Sequence, residues 1–155
     1  MTNPIPQDPG WEARVRDSFA RQPAMALVGA SLGRVAPGEA EVLLPVRPEV
    51  GQQHGFVHGG VVAMIADSAA GYAAFSLSAP DATVLSVEYK INFLSPARGA
   101  SLAARGRVAK AGRTLAVVEV DVVAIDASGA ETPCARMLQT VMNMRGRADA
   151  PRGGD

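Results

Sequence analysis

Residues Gln52–Phe75 read QQHGFVHGGVVAMIADSAAGYAAF, and this stretch decides the fold. It opens as a polar loop, passes through Gly59-Gly60 and becomes an apolar run rich in small residues. From Val61 to Leu77 the apolar side chains go almost all the way round a helical projection, the mark of a helix buried on every side. A run of about 17 residues spans roughly 25 Å, too short and too polar-flanked for a membrane crossing. The many Ala and Gly positions let neighbouring backbone approach closely. The expectation is a central helix wrapped by a sheet.

One carboxylate, Asp67, lies inside this run. An unpaired buried charge is costly, so the residue needs an explanation. Either it points out through a polar slit at Ser68 and Gly71 or caps a neighbouring element, or it is held in a cleft as a base or nucleophile. At the other end, Gly59 and Gly60 sit where the helix should begin. First-turn N–H groups lack intrahelical partners and carry the positive end of the macrodipole. Glycine lets a ligand approach that backbone, which suits a carbonyl oxygen becoming an oxyanion. Gly59 and Asp67 are eight residues apart, so one helix separates them by about 12 Å. One reacting carbonyl cannot sit roughly 3 Å from both. If both take part, the carboxylate comes from a second copy, its helix antiparallel about a two-fold axis.

Working outward, residues Met1–Gln7 read as a frayed tail, and Asp8-Pro9 offers a helix start. Trp11, Val15 and Phe19 then form one apolar stripe that Gln22-Pro23 ends. Met25–Val35 and Glu39–Val46 flank Pro37-Gly38 as a hairpin. Val84–Leu94 alternates cleanly, with Leu85, Val87, Tyr89, Ile91 and Phe93 on one face and Ser86, Glu88, Lys90 and Asn92 on the other. Ser101–Lys110, Arg113–Asp126 and Glu131–Met144 read as three further strands joined by tight turns. The class is α+β, an antiparallel sheet of five to six strands curled about one long helix. The expected division is a tail and amphipathic helix over 1–23, the main domain over 24–145 and a disordered tail over 146–155.

The 155 residues suit one domain with a sizeable core. Fifteen Lys and Arg balance fifteen Asp and Glu, so no global field draws the chain to nucleic acid or to a membrane. The single Cys134 forms no internal disulfide and reads as a core filler. With two histidines and one cysteine, no zinc-type ligand set is visible. The N-terminus lacks a basic segment followed by an apolar one, so a cytoplasmic location is expected.

With a polar amide six residues before His58, then HGG, then Asp67 nine residues after the histidine, and SVEYKINFLSPA downstream, Met25–Met144 resembles the hotdog-fold acyl-CoA thioesterases. The closest likeness is to the PaaI-like and 4-hydroxybenzoyl-CoA thioesterase group. The resemblance implies that Gln52 holds the thioester region or the attacking water. It implies that the Gly59 N–H polarises the carbonyl, with Gly60 beside the substrate and His58 shaping that corner. Asp67 would act from the opposing subunit as general base or direct nucleophile, and Ser86 would orient the water. The pairing of Gln52 with Asp67 mixes features of two subgroups and leaves the acyl group open. Arg98, Lys110 and Arg113 lie on turns that could reach the CoA phosphates, or are ordinary solvated charges. His54 reads as a loop residue.

The implied protein is a homodimer or a dimer of dimers acting on acyl-CoA, with no metal or redox cofactor and CoA present only as part of the substrate. Two other readings stay open. A hotdog hydratase or dehydratase usually carries a GDxNP-H or HFPxxP signature, absent here. A non-catalytic acyl-CoA-binding or sensing module would usually carry an added DNA-binding helix pair, for which Met1–Pro23 is too short.

Overall fold

The computed structural model describes residues 4–150. The elements run α1 (Trp11–Ala20), α2 (Pro23–Val28), β1 (Ser31–Ala36), β2 (Glu39–Pro45), a 3-10 turn (Pro48–Val50), α3 (Gly59–Phe75), β3 (Ala82–Phe93), β4 (Ser101–Ala111), β5 (Leu115–Ile125) and β6 (Glu131–Arg145). The six strands form one sheet in the order β1-β2-β4-β5-β6-β3, antiparallel throughout. The sheet curls around α3 as the apolar run requires. Ile65, Ala66, Ala69, Ala70 and Phe75 are all buried against Val42, Leu44, Leu102, Val118, Val120 and Met137. Burying a side chain the size of Ile65 or Phe75 stabilises the fold by roughly 1.5–3 kcal/mol each. Among the described residues no helix is long and apolar enough to cross a membrane.

The small side chains of α3 are matched by a glycine on the sheet. A Cβ added at Gly106 on β4 would lie 2.6 Å from the Ala69 carbonyl oxygen. Strand and helix backbones are therefore in direct contact there, and no other residue fits without movement. Beyond Phe75 the chain turns into β3, and Arg14 of α1 holds the turn. Its guanidinium donates to the carbonyls of Ser78 (2.9 Å), Ala79 (2.9 Å) and Ala82 (3.0 Å) and lies 4.4 Å from the Phe75 ring centre. It also pairs with Asp8 at 2.9 Å.

Several expectations change. The helix starts at Trp11, not at Pro9, because Asp8 is engaged in a preceding turn, its Oδ1 accepting from the Gly10 N–H at 2.8 Å. Met25–Val28 is helical, not strand. The first helix does end before Gln22-Pro23, but Pro23 also opens α2 as a first-turn residue, and Gly29 closes that helix in the left-handed region at φ 75°. The hairpin strand is thus shortened to Ser31–Ala36. Cys134 is buried in β6, where burial pushes its thiol pKa up, in keeping with a filler role.

The segment read as a disordered C-terminal tail is placed as far as Ala150, while 151–155 and 1–3 lie outside the described residues. The Arg147 N–H donates to the Asp81 carbonyl at 3.1 Å. Asp149 accepts from Arg21 (2.7 Å) and from Thr83 (3.1 Å). Gln7, expected to fray, donates to the Leu77 carbonyl at 3.1 Å.

The most consequential change is in β3. The pairing with β6 slips by one residue between Ser86 and Glu88, leaving Val87 as a bulge. A bulge reverses which side chains face inward. Past it Tyr89, Ile91 and Phe93 share the face of buried Gln139, Met137 and Ala135. Before it Ser86 stands opposite buried Val141 and points toward α3, while Leu85 points outward opposite Met142. Strict alternation had put Ser86 on the polar outer face. Because β3 is also a sheet edge, Leu85, Val87, Tyr89 and Phe93 remain 48–58% exposed.

Candidate active site

The loop before α3 is folded back on itself by its own backbone. The Gln52 N–H donates to the Phe56 carbonyl (2.8 Å), and the Gly55 N–H donates to the Gln52 carbonyl (3.0 Å), with Gly55 at φ 82°. The Val57 N–H reaches the Ala97 carbonyl at 2.8 Å and the His58 N–H reaches the Val50 carbonyl at 2.9 Å, pinning the helix start to the β3–β4 connection and to the 3-10 turn. The side chain of Gln52 accepts from the His54 N–H through Oε1.

His58 is the N-cap of α3. Its extended backbone (φ −60°, ψ 133°) turns the ring over the first turn, and Nδ1 accepts from the Gly60 N–H at 2.9 Å. That use satisfies Gly60, so of the two glycines only Gly59 keeps an open N–H. Among the described residues it makes no hydrogen bond. It faces a cavity of about 410 Å³ lined by Gln52, Phe56, Gly59, Phe93, Ser95 and Pro96. Gln52 and Gly59 are therefore brought together.

Asp67 lies elsewhere. It borders a cavity of about 240 Å³ with Gln22, Tyr72, Leu85, Ser86 and Asp149. Its Oδ1 accepts from the Ser86 hydroxyl at 2.6 Å and from Gln139 Nε2 at 2.5 Å. Gln139 Nε2 also donates to Ser86 Oγ at 2.8 Å, closing a triangle. Oδ2 of Asp67 accepts no hydrogen bond among the described residues. The arrangement is a carboxylate clamped by one oxygen and open at the other. Tyr72, in the same wall, has its phenol pKa raised by burial, opposed by its hydrogen bond with Ser18.

Within one chain the two groups stay apart. Both are on α3, eight residues and thus about 12 Å distant along its axis. The basic candidates are divided as well. Arg98 follows Ala97, which lines the Gly59 cavity, whereas Lys110 and Arg113 flank the β4–β5 turn, roughly 30 Å away along β4. All three are exposed.

Gln139 escaped the sequence reading. The only signal was faint: Gln139 shares the alternate row of Ala135, Met137 and Val141, and that row is seen to face inward only from its register in the sheet. A buried amide needs partners, and here those partners are Asp67 and Ser86.

Comparison with known proteins agrees with this architecture. Residues 54–129 match the family described as the thioesterase superfamily. A thioesterase family protein from Silicibacter pomeroyi is 47% identical, with 88% of this chain and 100% of that one covered and a TM-score of 0.86. The 1,4-dihydroxy-2-naphthoyl-CoA hydrolase of Listeria monocytogenes is 30% identical over 95 residues, 61% of this chain and 77% of that protein. The E. coli PaaI protein from the phenylacetic acid degradation operon, at 19% identity, covers 88% of this chain and 95% of its own with a TM-score of 0.78, a likeness of fold. A helix-wrapping sheet, a glycine start with a free N–H and an acid on the same helix thus lead where the motif pointed: the chain belongs to the thioesterase superfamily and has the PaaI-like hotdog fold.

Proposed function

We propose that the protein hydrolyses an acyl-CoA thioester to the free acid and CoA, in a site assembled from two copies of the chain. The observation that carries this is the division of parts along α3, with an unused Gly59 N–H at its start and a carboxylate with a free Oδ2 about 12 Å further on. Each lines its own cavity, and each cavity abuts β3, one at Ser86 and one at Phe93. A twelve-residue edge strand with apolar side chains half exposed favours a partner. Antiparallel pairing of β3 with its copy, centred near Tyr89–Lys90, would set the Ser86 end of one chain against the Phe93 end of the other. Asp67 of one subunit would then face Gly59 and Gln52 of its partner, in a homodimer or a dimer of such dimers.

In that site the Gly59 N–H polarises the thioester carbonyl and receives the developing oxyanion. Gln52 holds the thioester, His58 fixes the first turn, and Ser86 orients a water toward Asp67. Oδ2 of Asp67 takes one proton as the water oxygen bonds to the carbonyl carbon. Collapse breaks the C–S bond, and CoA leaves as a thiolate that recovers the proton as thiol. The alternative route, direct attack by Oδ2 to form a mixed anhydride, is distinguished by single turnover in ¹⁸O-water, because only that route leaves label in the Asp67 carboxyl. Arg98 is the basic residue beside the Gly59 half and is assigned to the CoA phosphates ahead of Lys110 and Arg113.

Thiol release from a panel of aryl and aliphatic acyl-CoAs tests the activity, and mixing tests the sharing. Asp67→Asn is expected to lose at least about 100-fold in kcat. Gly59→Pro deletes the N–H at a first-turn position that accepts proline, with a similar loss expected. Co-folding the two inactive variants should restore about a quarter of wild-type activity, since half the dimers are mixed and each carries one intact site. No recovery would place all parts in one chain, and binding without turnover across the panel would favour a sensor.

A further inference from the structure

Gln139 is 1% exposed, yet it is polar and sits between Met137 and Val141 on the inward face of β6. Its Nε2 lies within hydrogen-bond distance of both Asp67 Oδ1 (2.5 Å) and Ser86 Oγ (2.8 Å). Its Oε1 is buried and has no partner among the described residues. An unpaired buried acceptor destabilises a fold, so a residue needed only to fill this space would be better as Met or Leu. The geometry also constrains the amide. If it were turned over, Oε1 would lie against Asp67 Oδ1, acceptor against acceptor.

From this triangle we infer that Gln139 is a positioning residue for the hydrolysis proposed above, on which this inference rests. By donating to Oδ1 it fixes the rotation of the Asp67 carboxyl, so that Oδ2 is the oxygen left to take a proton from water or to attack. By donating to Ser86 Oγ it occupies one lone pair of a hydroxyl whose proton already points to Asp67. Ser86 is left with one acceptor site, which fits a single water in a single orientation. The amide is buried and does not line the Asp67 cavity. It acts through two side chains that do.

The test separates this role from packing. Gln139→Met keeps the volume and removes both the donors and the orphaned oxygen. The expected result is a kcat lower by about 10- to 100-fold, a KM within about twofold, and a melting temperature equal to wild type or higher. In an Asp67→Asn background the same substitution should cause no further loss, because its effect passes through Asp67. A kcat within about threefold of wild type, or losses that multiply in the double variant, would overturn the proposal. Should the Met variant fail to fold, Gln139→Glu decides. It keeps the shape, turns a donor into an acceptor, and must be at least as slow.

A measurement independent of turnover completes the test. The side-chain amide protons of Gln139 should give resolved ¹⁵N–¹H signals that exchange slowly and move on Asp67→Asn. If the wild type hydrolyses no acyl-CoA, the functional reading fails, while these signals still report whether Gln139 holds Asp67. Signals unmoved by Asp67→Asn would overturn the coupling itself.

Discussion

At the first turn of α3 the proposed chemistry rests on a backbone N–H, and two turns further on it rests on a side chain held by two others. The Gly59 corner is assembled by a loop whose hydrogen bonds are nearly all backbone, with His58 as its one capping side chain. Apart from Gln52, whose side chain the proposed reaction uses, the loop needs mainly the turn at Gly55 and the cap to persist. The Asp67 corner is the opposite. Its geometry depends on three side chains from three elements, α3, β3 and β6, and on a one-residue slip in the pairing between two of them. The first half of the site is robust to substitution and sensitive to backbone shape, and the second reverses both dependences.

This contrast can be broken most severely at the strand the two halves would share. Tyr89→Lys places an inward-pointing charge at the expected centre of the paired β3 strands, beside Lys90, and should shift the protein to monomer with at least about 100-fold loss of activity. Sedimentation alongside the thiol-release assay checks it, and a fully active monomer would dismiss the shared site. A smaller effect is expected at Ser86→Ala, which removes one donor to Asp67 but leaves Gln139: about tenfold in kcat, the worth of one charge-assisted hydrogen bond. A loss equal to that of Asp67→Asn would mean that Ser86 does more than orient a water.

The smallest effect concerns the wall of the Asp67 cavity. Burial pushes the Asp149 carboxyl pKa up, but hydrogen bonds from Ser18, Arg21 and Thr83 outweigh it and hold the group below the usual aspartate range. A depressed carboxyl pKa contributes stability above the ordinary aspartate value, near 4, and loses it as pH falls through the folded value. Asp149→Asn should therefore lower the melting point slightly at pH 7 and less at pH 3, with under about 1 kcal/mol at stake. An equal change at both pH values would remove charge from the explanation.

The central helix, five of the six strands and the sheet class were legible because each rests on periodicity or on a turn signal beside it. Asp67 and the glycine pair stood out for the same reason, as exceptions to an apolar run. What stayed hidden depended on single residues whose effect is not periodic. Val87 looks like one more apolar position in an alternating strand, and nothing local marks it as the extra residue that turns Ser86 inward. Gln139 reads as an ordinary polar position until its register against Tyr89 places it inside. Pro23 ends one helix pattern but also suits the first turn of the next, and only Gly29 in its left-handed conformation closes that second helix. Residues 146–150 have a composition that suggests disorder, yet Asp149 meets Arg21 across 128 positions, a contact no local pattern encodes.

Gly106 belongs to β4, separated from β3 by β5 and β6, and no step of the proposed reaction involves it. Its missing side chain nonetheless sets how deeply α3 sinks into the sheet, because the Ala69 carbonyl occupies the space a methyl group would take. Ala69 is two residues from Asp67. A random search for inactive variants should therefore recover alterations at position 106 among those at the acid itself, and their remedy should come from reshaping the helix rather than from restoring any functional group.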